Sequence, residues 1–143
     1  MTQPSVTLAP GSEDNALAGM LATLVRQNLD DSAEKVAVFA KMWGRVAIVA
    51  TDLDTSLTLR FERGTLRLFD GIVGIPDVTV RATSEAILQL SLVELEPRFG
   101  LPDPRGENAR RMIRASLHGE VQVFGLFPHL PLVLRLTRLM AVP

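Results

Sequence analysis

The chain has 143 residues, a formal net charge of −1 and no cysteine. This length suits one domain with its own core, and the nearly neutral charge argues against nucleic acid as a partner. The lack of cysteine excludes disulfides, thiolate nucleophiles and zinc–thiolate sites. Apolar residues make up 47% of the chain but aromatic residues only 5%, so we expect an interior built from aliphatic side chains.

Two prolines and a glycine lie among the first eleven residues, which predicts a disordered tail over residues 1–11. Residues 12–143 are expected to form a single domain, with a helical part over 12–43 and a sheet with covering helices over 45–142. No basic segment followed by an apolar run opens the chain, so we expect a cytoplasmic protein without a secretory signal. The apolar stretch 126–142 contains two arginines and two prolines and is not expected to insert stably into a membrane.

The helical part begins with leucines and a valine at helical spacing, which predicts a helix over about 14–29. Asp31 and Glu34 have the spacing of a capping box, which predicts a second helix over 32–43. Trp43, at the end of that helix, is expected in the core.

Four strands are then predicted, over residues 45–51, 55–62, 65–69 and 78–82. Residues 55–62 alternate apolar and polar side chains, as a half-buried strand does. Arg63 and Gly64 form a two-residue turn after it. This turn places Leu66 opposite Phe61, so the apolar side chains of the two strands lie on the same face. The pattern predicts an antiparallel hairpin.

The predicted helix 84–95 is apolar over most of its circumference, so it needs a second neighbour besides the sheet. A loop rich in proline and glycine follows over 97–106, and loops of this length often bind ligands. A short helix over 109–116, a strand over 117–124 and an apolar helix over 131–141 complete the chain. This order predicts an α+β fold, with a twisted, mainly antiparallel five-stranded sheet and helices packed on one face.

Two motifs resemble the sterol carrier protein (nonspecific lipid-transfer) domain family, in its stand-alone bacterial form. They are Gly119-Glu-Val-Gln-Val-Phe-Gly125, between a short helix and an apolar one, and the strand-into-helix segment Asp77–Leu88. The resemblance covers about residues 45–142. It implies a five-stranded sheet backed by helices, with an apolar tunnel for fatty acyl chains, sterols and similar lipids. Leu126 departs from the family, which usually has a capping acidic residue there.

A ligand cavity is therefore expected between the sheet and two broad aliphatic helix faces. The helix side is predicted to consist of Ile87, Leu90, Leu126, Leu130, Leu134 and Met140. The sheet side is predicted to consist of Leu59, Leu68, Val80 and Val121. Arg110 and Arg114 are candidates for contact with an anionic headgroup, because guanidinium groups suit phosphate and carboxylate.

The leading functional prediction is a binding or carrier protein for an apolar ligand: a fatty acyl chain, a sterol-like molecule, or an isoprenoid or quinone intermediate. The alternative is a module with a filled core that dimerises or binds a partner protein, for example an accessory factor in quinone biosynthesis, as in some bacterial members of the family. An enzyme is disfavoured, since no set of nucleophile, base and orienting group is evident. No cofactor or metal is predicted, because His118 and His129 lack identifiable carboxylate partners.

Overall fold

The computed structural model describes residues 3–90 and 103–141. Within these ranges the chain forms five helices and six strands. They are β1 (Ser5–Leu8), α1 (Ala16–Asp31), α2 (Ala33–Phe39), β2 (Trp43–Ala50), β3 (Thr55–Glu62), β4 (Thr65–Asp70), β5 (Val78–Ala82), α3 (Ser84–Leu90), α4 (Glu107–Leu117), β6 (Val121–Phe124) and α5 (Leu130–Met140). The predicted helix 84–95 beyond Leu90, and most of the predicted loop 97–106, lie outside the described residues.

The six strands form one mixed sheet in the order β1-β4-β3-β2-β5-β6. Two neighbouring pairs are parallel, β1 with β4 and β2 with β5, and the other three are antiparallel. The α+β class agrees with the prediction, but the sheet has six strands instead of five. The additional strand is β1, which lies inside the segment predicted to be a disordered tail.

The segment 1–11 is therefore ordered in part. Val6 and Leu8 pair with Leu66 and Leu68 of β4 and pack against the core. The guanidinium of Arg26 also donates a hydrogen bond of 2.9 Å to the carbonyl oxygen of Val6. β1 has only four residues, too few to show an alternating pattern in the sequence. Its order depends on its contacts with β4 and α1.

The hairpin of β3 and β4 is confirmed, with Leu59 opposite Leu68 and Phe61 opposite Leu66. Arg63 and Gly64 at its turn have φ of 46° and 95°, which is the conformation that two-residue hairpin turns require. The last strand pairs antiparallel with β5 as part of the same sheet.

Three predicted boundaries were wrong. The last strand begins at Val121, not at residue 117, because α4 continues to Leu117. The side chain that caps α2 is Ser32, which accepts a hydrogen bond of 3.2 Å from the Lys35 amide, so Asp31 and Glu34 form no capping box. The second helix ends at Phe39, not at residue 43.

Trp43 is also not a core residue, since 63% of its surface is exposed. It is the first residue of β2 and pairs with Glu62, on the opposite face of the sheet from the helices. The Arg63 guanidinium lies 5.8 Å from the centre of its ring. Phe39 and Met42, both fully buried, occupy the core at this end of the sheet.

The last helix reaches the sheet through a reversal at Gly125, whose φ is 84°. A Cβ at this position would overlap the backbone carbonyl oxygen of Asp77. The following helix has no side-chain cap, in keeping with Leu126 in place of an acidic residue, and carries Pro131 in its first turn. It packs Leu132, Leu136 and Leu139 into the core.

We predict that Gly125→Ala destabilises the protein by roughly 2–4 kcal/mol, the sum of a left-handed backbone cost and a steric overlap. Gly119→Ala is the matched control, since Gly119 has a similar φ of 75° but nothing within 4 Å of an added Cβ. We expect it to cost roughly 1–2 kcal/mol. Urea denaturation measures both values. Equal losses in the two variants would contradict the importance of the Asp77 contact.

Candidate ligand-binding site

The inner face of the sheet becomes less well covered from β4 towards β6. Leu68 of β4 and Leu59 of β3 are fully buried, and Val80 of β5 is 8% exposed. On β6 Val121 is 4% exposed and Val123 is 36% exposed, so the cover is lost at the Val123 end of this edge strand. The register places these side chains on one face of the sheet. The apolar interior is therefore closed over β3 and β4 and reaches the surface at Val123 of β6.

The unequal cover follows from the helices that lie over each half of the face. On the closed side α1 buries Leu17, Leu21 and Val25 over β3 and β4, and α5 lies beside α1. On the open side α4 contacts β6 and α3. Its one fully buried residue among those described is Ala109, so α4 contributes little apolar area to the core.

A cavity of about 30 Å³ lies between α3, α4 and β6. It is lined by Ala86, Gln89 and Leu90 of α3, Asn108, Arg111, Met112 and Ala115 of α4, and Val121 of β6. This volume equals the share of one water molecule in the liquid. Ligand sites typically measure roughly 300–1,000 Å³, so an acyl chain fits only if α3 and α4 separate.

A second, open depression of about 680 Å³ runs along α1 beside Leu88 of α3. Its lining on α1 consists of Ala16, Gly19, Met20, Leu21, Thr23, Leu24 and Gln27. The depression is mainly apolar, and Met20 is 46% exposed within it. It therefore places an accessible apolar surface on a second side of α3.

The structure brings some of the predicted site residues together. Leu90 and Val121 line the small cavity, and Ile87 and Val80 are buried in the core cluster that contains Val121. Met140 packs against the margin of this cluster.

Other predicted residues lie apart from the cavity. Leu59 and Leu68 are sealed in the closed half of the core. Leu126 and Leu134 are half-buried and Leu130 is exposed, all outside the buried core cluster.

The cavity also has residues that the sequence analysis did not assign to it. Asn108, Met112 and Ala115 recur at helical spacing and line it together with Arg111. That spacing was the available signal. Arg110 and Arg114, the predicted headgroup contacts, are exposed and do not line the cavity.

The first turn of α3 is held by Asp52, from the turn between β2 and β3. Its two carboxylate oxygens accept hydrogen bonds of 2.7 Å from the amide and the hydroxyl of Ser84. These bonds lower the pKa of Asp52 below its ordinary value. The ionised carboxylate thus stabilises the start of α3 at neutral pH, and it fixes one wall of the cavity.

No group of three or more histidine, aspartate or glutamate side chains that could hold a metal occurs within residues 3–90 and 103–141. His129 lies 3.9 Å from one Asp77 carboxylate oxygen. The other oxygen of that carboxylate accepts a hydrogen bond of 2.9 Å from the Arg45 amide. This pair joins α5 to the sheet, and we assign it a structural role.

The arrangement of sheet and helices has counterparts among solved structures. The UbiJ-SCP2 ubiquinone synthesis protein aligns over 88% of this chain and 93% of its own, with a TM-score of 0.61 and 19% identity. The chain has a sterol carrier protein-like fold. The sterol carrier protein domain 2 of Helicoverpa armigera aligns over 87% of this chain and 84% of its own, with a TM-score of 0.55 and 16% identity.

Sterol carrier protein 2 aligns over 85% of this chain and 91% of its own, with a TM-score of 0.51 and 13% identity. No protein-family model matches the chain, and no curated protein matches its sequence. At these identities the likeness establishes the fold, and it extends beyond the part, residues 45–142, in which the sequence motifs lie.

We predict that Asp52→Asn loosens α3 without unfolding the sheet, because the amide binds Ser84 more weakly than the carboxylate does. Amide exchange over residues 86–90 at pH 7 should become severalfold faster. The wild type should lose the same protection in acid. Because folding lowers the pKa of Asp52, its stabilisation of α3 is complete above the ordinary pKa and is lost as pH falls through the folded pKa. Asp54→Asn, in the same turn, is the control and should leave this exchange unchanged.

Proposed function

We propose that the protein binds and carries an apolar, lipid-like molecule between α3 and α4 on one side and β5 and β6 on the other, without catalysis of its own. The supporting observation is the decrease in cover across the inner face of the sheet, from fully buried Leu68 to 36% exposed Val123. Here the aliphatic interior reaches the surface next to a small cavity.

Binding requires α4 to move, and its packing makes this movement inexpensive. Its inner side presents Ala109 and the half-buried Met112 and Ala115, which bury little area at roughly 25 cal/mol per Å². An aliphatic chain would replace these contacts with more extensive ones along Leu90 and Val121. The ligand therefore selects a more open state of a weakly packed helix.

The lining also indicates the kind of ligand. The interior walls are aliphatic, whereas Gln89, Asn108 and Arg111 form a polar group at the cavity. An extended hydrocarbon with one polar end suits this division, since amide groups bind carbonyl and hydroxyl oxygens and the Arg111 guanidinium is paired with Glu107. Fatty acyl chains, sterol-like molecules and isoprenoid or quinone intermediates fit, and the likeness to a ubiquinone synthesis protein favours the last of these.

A second candidate is an interaction or dimerisation module with a filled core. It is favoured by Phe124 and Phe127, which are 54% and 86% exposed. The first lies at the end of β6, an edge strand of the sheet, and the second lies in the turn that follows. Exposed aromatic side chains beside an open strand edge are typical of protein contacts.

We predict that natively purified protein retains a lipid that mass spectrometry detects after solvent extraction, and that it binds a fluorescent fatty acid. Leu90→Trp should fill the cavity and weaken probe binding at least about tenfold, because the indole takes the volume the chain needs. Leu53→Trp is the control, since Leu53 is 55% exposed in the turn between β2 and β3. It should bind as the wild type does.

Thermal unfolding separates loss of binding from loss of the fold. Overpacking a closed core usually costs about 1–3 kcal/mol, and Leu90→Trp should cost less because the helices can part. A wild type that carries no lipid, ignores the probe and forms a dimer in light scattering would refute the carrier and support the interaction module.

A further inference from the structure

The helix α4 has two different apolar faces. Its inner side lines the cavity with Asn108, Arg111, Met112 and Ala115. On its outer side Arg110, Ile113, Arg114 and Leu117 follow one another at positions i, i+3, i+4 and i+7, which form a single stripe along a helix. We call these four residues the outer stripe of α4.

The outer stripe is accessible along its whole length. Leu117 is 81% exposed and Ile113 is 39% exposed, and both arginine side chains are exposed. The opposite side of α4 packs on the core, so Leu117 contributes little to that packing. The outer stripe therefore presents two cations and two aliphatic side chains together at the surface.

The arginines of the stripe differ from their neighbours in their pairing. Arg111 lies 2.6 Å from a Glu107 carboxylate oxygen, and Arg105 lies 3.3 Å from that of Asp103. Among the described residues neither Arg110 nor Arg114 forms such an ion pair. Their charges are available for an anionic partner.

We infer that the outer stripe of α4 docks the protein on the surface of an anionic lipid bilayer. Guanidinium groups bind lipid phosphates, while Ile113 and Leu117 reach the boundary between headgroups and acyl chains, which is how amphipathic helices lie on membranes. An acidic protein surface would neutralise Arg110 and Arg114 but would gain less from Ile113 and from Leu117 at the end of the stripe. No helix among the described residues is long and apolar enough to cross a bilayer.

The outer stripe and the cavity lie on opposite sides of the same helix. The helix that would lie on the bilayer is the one that must move to open the cavity beneath it. The docking itself does not require a bound ligand, so it goes beyond the proposed function and can be tested separately.

The test is co-sedimentation of the purified protein with vesicles of phosphatidylcholine containing phosphatidylglycerol, and with vesicles of phosphatidylcholine alone. The wild type should bind the anionic vesicles, and added salt should weaken this binding. Arg110→Gln with Arg114→Gln should lower it about 25-fold, because each basic residue near such a surface contributes roughly a factor of five. Lys41→Gln with Arg67→Gln removes two exposed positive charges elsewhere and should change binding less than about twofold.

Leu117→Ser tests the apolar part of the stripe and should also weaken binding to the anionic vesicles, with the thermal stability unchanged because the side chain is exposed. Arg110→Gln with Arg114→Gln should bind the fluorescent fatty acid as the wild type does, because neither arginine lines the cavity, and this separates docking from ligand binding. Equal binding to both kinds of vesicle, equal losses in the two charge variants, or no vesicle binding by the wild type would overturn the inference.

Discussion

The contact between the backbones of Gly125 and Asp77 determines how the second half of the chain is arranged. Asp77 precedes β5, and its amide donates a 2.9 Å hydrogen bond to the carbonyl oxygen of Arg45 in β2. One carboxylate oxygen of Asp77 accepts a hydrogen bond from the Arg45 amide. The backbone carbonyl oxygen of Asp77 leaves no room for a Cβ on Gly125. One residue thus joins β2, the start of β5 and the turn between β6 and α5.

The placement of α5 depends on this junction and on a second glycine. A Cβ on Gly44 would lie 2.9 Å from Leu132 of α5 and 2.9 Å from the Asp77 carboxylate. The helix can therefore approach β2 closely, and the Asn28 side chain of α1 reaches the carbonyl oxygen of Leu139 at 2.9 Å. The tight packing of α5 contrasts with the loose packing of α4. In the proposed function α5 stays fixed on the sheet while α4 moves.

The sequence predicted the elements whose signals are local. The β3–β4 hairpin combines strict alternation with a two-residue turn, and its register was correct. Local patterns did not identify β1, which is ordered by a strand far along the chain, or the outward direction of Trp43, which depends on where α2 ends. The apolar breadth of α3 indicated a second neighbour, and α4 is that neighbour. The size of the cavity could not be predicted, because it depends on shifts of about an ångström between packed helices.

The parallel pairing of β1 with β4 constrains the order of folding. Ser5 pairs with Thr65, so β1 has no partner until the chain has continued through α1, α2, β2 and β3. Closing so long a loop is entropically unfavourable and slow compared with forming a hairpin. The first strand in the sequence therefore joins the sheet only after β4 has been made, and during synthesis residues 5–8 have no strand partner until residues 65–68 have left the ribosome.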